Sequence, residues 1–392
     1  MKNNDNIMKA LDFVLPTRII FGPGTIKQIG DEFKKSGKKK PLIVTGSRGV
    51  AKSGILKKVT DLLDASGVGY VHFDGVEPNP KDSNVNDGAK IAIENGCDSL
   101  IAIGGGSPID AAKAIGVLMA HNSTDIKKYE GKTAATEANP YFVAVPTTAG
   151  SASEVTFSSV ITDSKDHYKM TVKSATTAPT LAIADPELTV TMPKSITAAT
   201  GVDALTHAIE GFTALPAGPI GDACALYAIE LIYNNLVNAY NEPANIEARS
   251  GMLMGSMLAG ISFSHSDVAA VHCVAESLGG MYDLPHGECN AIFLPYIMEY
   301  NMSYCVSKYA RVASAMGCVF SSEEEGAKMA VENVKKLCKD VEIRRFADLV
   351  PDKKDFETLA VNSEQNGSNA DNPRPMTKED YMHILNLVYD AK

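Results

Sequence analysis

Apolar residues follow two rhythms along this chain, and the change between them falls near residue 190. In the first half, short and largely apolar runs recur at 41–44, 70–73, 99–103, 142–145 and 180–183. A strand that is apolar at nearly every position is buried on both faces, as in a parallel sheet covered by helices on either side. Helical spacing of apolar residues fills the intervals at 54–66, 83–95 and 108–119. This alternation predicts an α/β domain with a mostly parallel sheet. Past Pro193 the pattern is helical only, at 195–214, 220–240, 246–263 and 268–278, with Ala, Leu and Met recurring every third or fourth position. The expected organisation is therefore an α/β domain over 1–192 and an all-α domain over 193–392. Residues 362–375 read as a polar loop, and Thr377-Lys378-Glu379-Asp380 as the capping box that opens a last helix.

Composition narrows the function. A chain of 392 residues can bury two full cores. With 21% charged and 45% hydrophobic residues it is of ordinary globular make-up. A net charge of −10 argues against nucleic acid or an anionic membrane as partner. No apolar run approaches the roughly 20 residues that span a bilayer, and residues 1–12 lack the apolar core of a secretion signal. The 7 cysteines show no CxxC spacing, which points to a reducing, cytoplasmic setting. Cys273 and Cys289 flank histidines and are expected to be packing residues.

The helical half holds the first candidate chemistry. Asp203 and His207 lie four apart in Gly-Val-Asp-Ala-Leu-Thr-His-Ala-Ile-Glu, so a carboxylate and an imidazole share one helix face. His272 and His286 follow, in Val-His-Cys-Val-Ala-Glu and Leu-Pro-His-Gly-Glu-Cys. Three imidazoles and one carboxylate suit Fe(II) or Zn(II) far better than Mg or Ca.

The α/β half holds the second. A predicted strand runs into Gly104, Gly105 and Gly106, then Ser107 and Pro108, then a helix. Glycines admit close approach of a ligand to the backbone. Pro108 sets φ for the first helical turn, whose free amides are suited to an anion. This is a pyrophosphate seat by mechanism, although not the G-x-G-x-x-G fingerprint, and tight-turn packing is the competing explanation. A second loop of small residues, from Pro146 to Glu154, follows the strand at 142–145.

A nucleotide seat and an Asp/His cage in one chain form the layout of a metal-assisted hydride-transfer enzyme. The residues also resemble the iron-dependent (group III) alcohol dehydrogenases from end to end. The likeness runs through Phe21-Gly22-Pro23-Gly24, Pro78-Asn79-Pro80 and 104–110, then Thr147-Thr148-Ala149-Gly150 and Ile183-Ala184-Asp185-Pro186-Glu187. It continues through 201–210 and 272–286 to Asp371-Asn372-Pro373-Arg374. The resemblance implies a dehydroquinate synthase-like fold, with Asp203, His207, His272 and His286 binding Fe(II), or Zn(II). It implies that Gly104, Gly105, Gly106, Ser107, Thr147, Thr148 and Ser151 contact the cofactor, and that Asp110 holds the glycine loop. Gly46, Ser47, Asn79, Lys169 and Leu188 would border the same nicotinamide nucleotide.

Three departures from that family's pattern carry expectations of their own. After Leu42-Ile43-Val44-Thr45, many NAD-dependent relatives have Asp, where this chain has Gly46, then Ser47 and Arg48. Loss of that carboxylate removes repulsion of a 2′-phosphate, and Arg48 can pair with one, so NADP(H) is expected over NAD(H). Glu276 stands where relatives often have a histidine, four residues after His272. It is read as an orienting acceptor, a further ligand or a substrate-recognising group, against a plain surface carboxylate. Ser264-His265-Ser266-Asp267 is more polar than usual. Together the last two suggest a substrate with a second polar group, such as a diol or hydroxyaldehyde, with Phe263 and Val268 as apolar walls or as core.

The expected activity is thus a metal-dependent alcohol dehydrogenase or aldehyde reductase, cytoplasmic and homo-oligomeric, acting on a small alcohol or aldehyde. A glycerol dehydrogenase-like or sugar-phosphate cyclase-like enzyme of the same fold lacks the Asp203/His207 pairing. A non-catalytic metal-binding relative is the reading from another class.

Overall fold

The computed structural model describes residues 10–46, 50, 53–132, 134–165 and 168–391. The described residues form two compact units, one within 14–192, the other of 193–391 together with 10–13. Phe13 explains its own membership of the second unit, since its ring stacks on His265 with centroids 4.0 Å apart.

Eight strands are described in the first unit: β1 (Arg18–Phe21), β2 (Pro41–Gly46), β3 (Val71–Val76), β4 (Ser99–Gly104), β5 (Tyr141–Pro146), β6 (Ser158–Thr162), β7 (Lys169–Lys173) and β8 (Leu181–Ala184). Six of them make one sheet in the order β1-β8-β5-β4-β2-β3, with every pairing parallel. Helices α1 (Ile29–Ser36), α2 (Ile55–Ala65), α3 (Asp82–Glu94) and α4 (Gly106–His121) cover it. Alternate side chains along one strand enter opposite faces. Leu42 and Val44 join Leu100, Ala102, Phe142 and Ile115 in one core; Ile43 joins Ile101, Val143, Ile183, Phe33 and Leu63 in the other. Each such buried aliphatic is worth about 1.5–3 kcal/mol over an exposed one, so both faces commit these strands to the interior.

Two features escaped the apolar pattern. β1 is a short, half-exposed edge strand. β6 and β7 form an antiparallel hairpin whose positions alternate between buried and half-buried, with Ile161, Met170 and Val172 among the buried ones.

The second unit is helical throughout its described residues: α5 (Lys194–Thr213), α6 (Pro219–Asn241), α7 (Ile246–Ser266), α8 (Ala270–Tyr282), α9 (His286–Ala315), α10 (Glu323–Asp340), α11 (Phe356–Gln365) and α12 (Lys378–Asp390). Proline at the first position starts α6, where its missing N–H is no loss. The Asn245 side chain caps α7, accepting from the Ala248 amide at 3.0 Å. Thr377 and Asp380 form the expected capping box on α12. The polar segment over 362–375 is shorter than anticipated, because α11 continues to Gln365 and a 3-10 turn spans Gly367–Asp371. Pro295 lies inside α9 and cannot donate to the carbonyl one turn back, Ala291. The Cys338 thiol donates to that carbonyl at 3.6 Å instead. Among the described residues no helix is long and apolar enough to cross a membrane.

Candidate metal centre and nucleotide seat

Asp203 and His207 sit one turn apart on α5, His272 in the first turn of α8, and His286 at the start of α9. One donor atom from each of the four lies within 4.8 Å of the others. Asp203, His207 and His272 are 4%, 5% and 3% exposed, so a charge placed among them is largely shielded from water. Gly287 lets the α9 end come down on α5: a Cβ there would stand 2.8 Å from the Ala199 carbonyl oxygen and 3.1 Å from Asp203 Cβ.

A fifth side chain holds one of the four, His272, in place. Glu210, 3% exposed, lies two turns past Asp203 on α5. Its carboxylate accepts from the amides of Ala269 at 3.0 Å and Val271 at 2.7 Å, and from His272 Nδ1 at 2.5 Å. It therefore closes the amide end of α8 and fixes the His272 tautomer, leaving Nε2 as the acceptor. Burial alone would push the His272 imidazole down. The charge and hydrogen bond of Glu210, with the charge of Asp203, outweigh that and hold it above its ordinary value. Asn290, one turn after His286, points its amide nitrogen at Asp203 Oδ1 at 2.7 Å. Phe263 stacks on His207 with centroids 4.4 Å apart and 17° between planes, so it walls the cage. Val268 is 9% exposed and is a core residue.

Glu276 is not among the converging donors. One of its oxygens accepts from Asn366 Nδ2 at 2.6 Å. Two hydroxyls and a ring nitrogen of the polar run at the end of α7 meet carbonyls of their own helix. Ser264 and Ser266 donate to the carbonyls of Gly260 and Ser262, and His265 Nδ1 meets that of Ile261. Cys273 and Cys289 are fully buried and lie outside the donor set, as packing residues do.

In the other unit the glycine triplet ends β4 and opens α4. Gly104 has φ +148°, and a Cβ there would lie 2.5 Å from Pro108 Cγ. A Cβ on Gly106 would lie 2.8 Å from Ser151 Oγ. Gly104 thus makes room for the first turn of α4, and Gly106 for the second small-residue loop, which begins where Pro146 pairs with Gly104 across the sheet. Gly105 faces Thr148 and Gly106 faces Ser151, and these four, with Ser107 and Thr147, are half-exposed. The N-cap of α4 is Gly105, which has no side chain to cap the helix, so its first amides keep their affinity for an anion. Asp110 accepts from Ser153 Oγ and from the Val160 amide at 3.1 Å, while its carbonyl accepts from Ser159 Oγ at 2.8 Å. It staples the first turn of α4 to the loop and to β6.

Beneath that staple lies Lys113, wholly buried, whose Nζ donates to Ser153 Oγ, Thr156 Oγ1 and the Ser158 carbonyl at 2.7–2.9 Å. Burial pushes the nearby Glu154 carboxyl up to about 7, against the pull of Lys113. Asn79 takes a left-handed backbone, φ +50°, just before Pro80. Leu188 is 3% exposed and packs with Ile183 and Val145 in the core. Lys169 opens β7 opposite Thr162. Gly46 closes β2, and Ser47 and Arg48 lie outside the described residues.

Comparison with known proteins agrees with this geometry. Residues 16–186 match the family "Iron-containing alcohol dehydrogenase", and 197–389 match "Fe-containing alcohol dehydrogenase family, C-terminal". The chain belongs to the iron-containing alcohol dehydrogenases. It is 38% identical to 1,3-propanediol dehydrogenase of Citrobacter freundii, over 97% of this chain and 99% of that one. It is 38% identical to lactaldehyde reductase of Escherichia coli, over 94% and 97%. The crystal structure of a 1,3-propanediol oxidoreductase superposes with a TM-score of 0.94 at 37% identity, covering 97% of this chain and 100% of that one. As a member of this family the protein is an oxidoreductase acting on alcohols and aldehydes.

The sequence reading did not single out Glu210, Asn290, Lys113 or Glu154. Helical spacing could have flagged two of them: Glu210 continues the Asp203/His207 face, and Asn290 shares a face with His286.

Proposed function

We propose that this protein interconverts a small primary alcohol carrying a second hydroxyl and its hydroxyaldehyde. Fe(II), or Zn(II), would be held by Asp203, His207, His272 and His286, with NADP(H) preferred over NAD(H). The observation that carries the reading is the convergence of four donors, one of which, His272, is oriented by the buried carboxylate of Glu210. Three nitrogens and one oxygen in a shielded setting fit a borderline divalent cation.

When bound, the ion supplies Lewis acidity, which eases ionisation of the alcohol and, in reverse, polarises the carbonyl. Glu210 fixes the His272 ring so that Nε2 faces the site. Phe263 shields one face of His207 from water. The first amides of α4, with the hydroxyls of Thr147, Thr148 and Ser151, would hold the cofactor diphosphate, and Asp110 keeps that turn and loop in register. Held there, the nicotinamide nucleotide would supply or accept the hydride.

Glu276 supports the diol reading. Asn366 takes one of its oxygens, and the other can accept from a substrate hydroxyl. The names of two similar proteins, a 1,3-propanediol dehydrogenase and a lactaldehyde reductase, denote bifunctional substrates. The NADP(H) preference is supported by Gly46, where a Cβ would have ordinary room at 3.6 Å from the Val76 carbonyl oxygen but no carboxylate is present. Seven free cysteines support a cytoplasmic setting, and we assign the protein to homo-oligomers.

The test is anaerobic assay of protein stripped with chelator and reloaded with Fe(II) or Zn(II). Activity should vanish on stripping and return on loading. 1,3-Propanediol should exceed 1-propanol, and NADPH should exceed NADH, in kcat/KM. Activity indifferent to chelation removes the metal reading, preference for plain alkanols removes the diol, and preference for NADH removes the cofactor assignment.

A further inference from the structure

We propose that Asn290 is a positioning residue for the metal, gripping one oxygen of Asp203 so that the other is presented to the ion. The inference rests on the reading that Asp203, His207, His272 and His286 are the ligands. Asn290 is 0% exposed and lies one turn after His286 on α9. Its Nδ2 stands 2.7 Å from Asp203 Oδ1, 3.0 Å from His272 Nε2 and 3.2 Å from His286 Nε2.

An amide nitrogen carries two hydrogens, so three acceptors compete for them. Charge decides the competition, because a hydrogen bond to a carboxylate is roughly twice as strong as one between neutral groups. Each imidazole has a single lone pair to offer, and a cation takes it. The carboxylate has two oxygens and can serve amide and cation together. Oδ1 is the one the amide holds; Oδ2 is the one that faces His207 Nδ1, at 4.0 Å. The Asn290–Asp203 bond is therefore the contact that survives loading, and the two imidazole contacts are exchanged for the ion.

The other end of the same amide shows that space-filling is not its purpose. Asn290 Oδ1 is buried and makes no hydrogen bond among the described residues. Leaving a buried carbonyl unsatisfied is unfavourable, and a leucine of similar volume would avoid it. What asparagine alone provides is a donor aimed into the donor set.

The test uses full-length protein stripped of metal and titrated with Zn(II) against a chromogenic chelator. N290L and N290A should raise the Zn(II) Kd about 10–100-fold, the range for losing a group that orients a ligand. N290S, with a donor on a shorter arm, should fall between them and the unmodified protein. In Co(II)-loaded protein the visible bands, which report ligand geometry, should shift in N290L. Because Asn290 acts through Asp203, D203A/N290A should bind no more weakly than D203A. An unchanged Kd in N290L and N290A, or additive losses in the double variant, overturns the proposal. If those variants do not fold, N290S decides, and a Kd equal to that of the unmodified protein overturns it. H286A separates the two levels of the argument. Normal Zn(II) affinity in H286A defeats the ligand assignment itself, whereas loss in H286A with normal N290L defeats only the role of Asn290.

Discussion

Two helix starts in this molecule face the same electrostatic situation and are treated in opposite ways. At the start of α8 the amides of Ala269 and Val271 are already engaged by Glu210, a carboxylate sent from α5. At the start of α4 the N-cap is Gly105, with no side chain to close the turn. Both ends carry the positive half of a helix dipole. One is closed with an internal anion and used to aim an imidazole; the other has no side-chain cap. Side chains make the first site and their absence makes the second, so the two should fail under different substitutions.

The largest expected effect tests the closed end. E210Q keeps the shape but removes the charge and turns one acceptor into a donor facing amides. Metal affinity and kcat/KM should fall about 10–100-fold, measured by chelator competition and steady-state kinetics; an unaltered Zn(II) Kd would break the comparison. G104A tests the open end, where a single methyl meets Pro108 and an unfavourable φ at a cost on the order of 1–3 kcal/mol. The KM for the nicotinamide cofactor should rise while Zn(II) affinity stays unchanged, and equal damage to both would merge what is separated above. G46D is smaller in scope. It restores a carboxylate where there is room for one, and should move the NADPH/NADH ratio of kcat/KM roughly tenfold toward NADH, the scale of one charged contact.

The smallest effect concerns pH. Glu154 has its carboxyl raised to about 7 by burial. An acid with a raised folded pKa favours the folded state fully below its unfolded pKa, near 4.3, and loses that contribution as pH climbs toward 7. E154Q, which keeps the neutral shape, should lose less melting temperature between pH 5 and 7.5 than the unmodified protein. Parallel melting curves would mean that Glu154 is already ionised beside Lys113.

The difference between the regions also explains what could be read from the sequence. β2, β4, β5 and β8 were legible because burial on both faces forces apolar residues at every position. β1 is half exposed, and the β6–β7 hairpin alternates, so neither shows that mark. Three of only 8 histidines fall in the ligand segments, one of them a helical turn from Asp203, so Asp203, His207, His272 and His286 stood out, but their support did not. Glu210 is one acid among many until α8 is folded against it, and Asn290 becomes informative only when three acceptors surround its amide. Leu188, placed beside the cofactor by the resemblance, packs with Ile183 and Val145. Among the polar residues closing α7, the hydroxyls of Ser264 and Ser266 donate back into their own helix, which spacing alone does not show.

One carboxylate that receives two main-chain amides and a ring nitrogen ties an imidazole to a backbone rather than to a rotamer. His272 cannot be reoriented by a side-chain hop without breaking its tie to Glu210, nor can α8 slide along its axis without releasing both amides. Anyone grafting this cage onto another scaffold would therefore have to transplant the junction between two helices, and a copy of four ligands alone would arrive without the part that aims them.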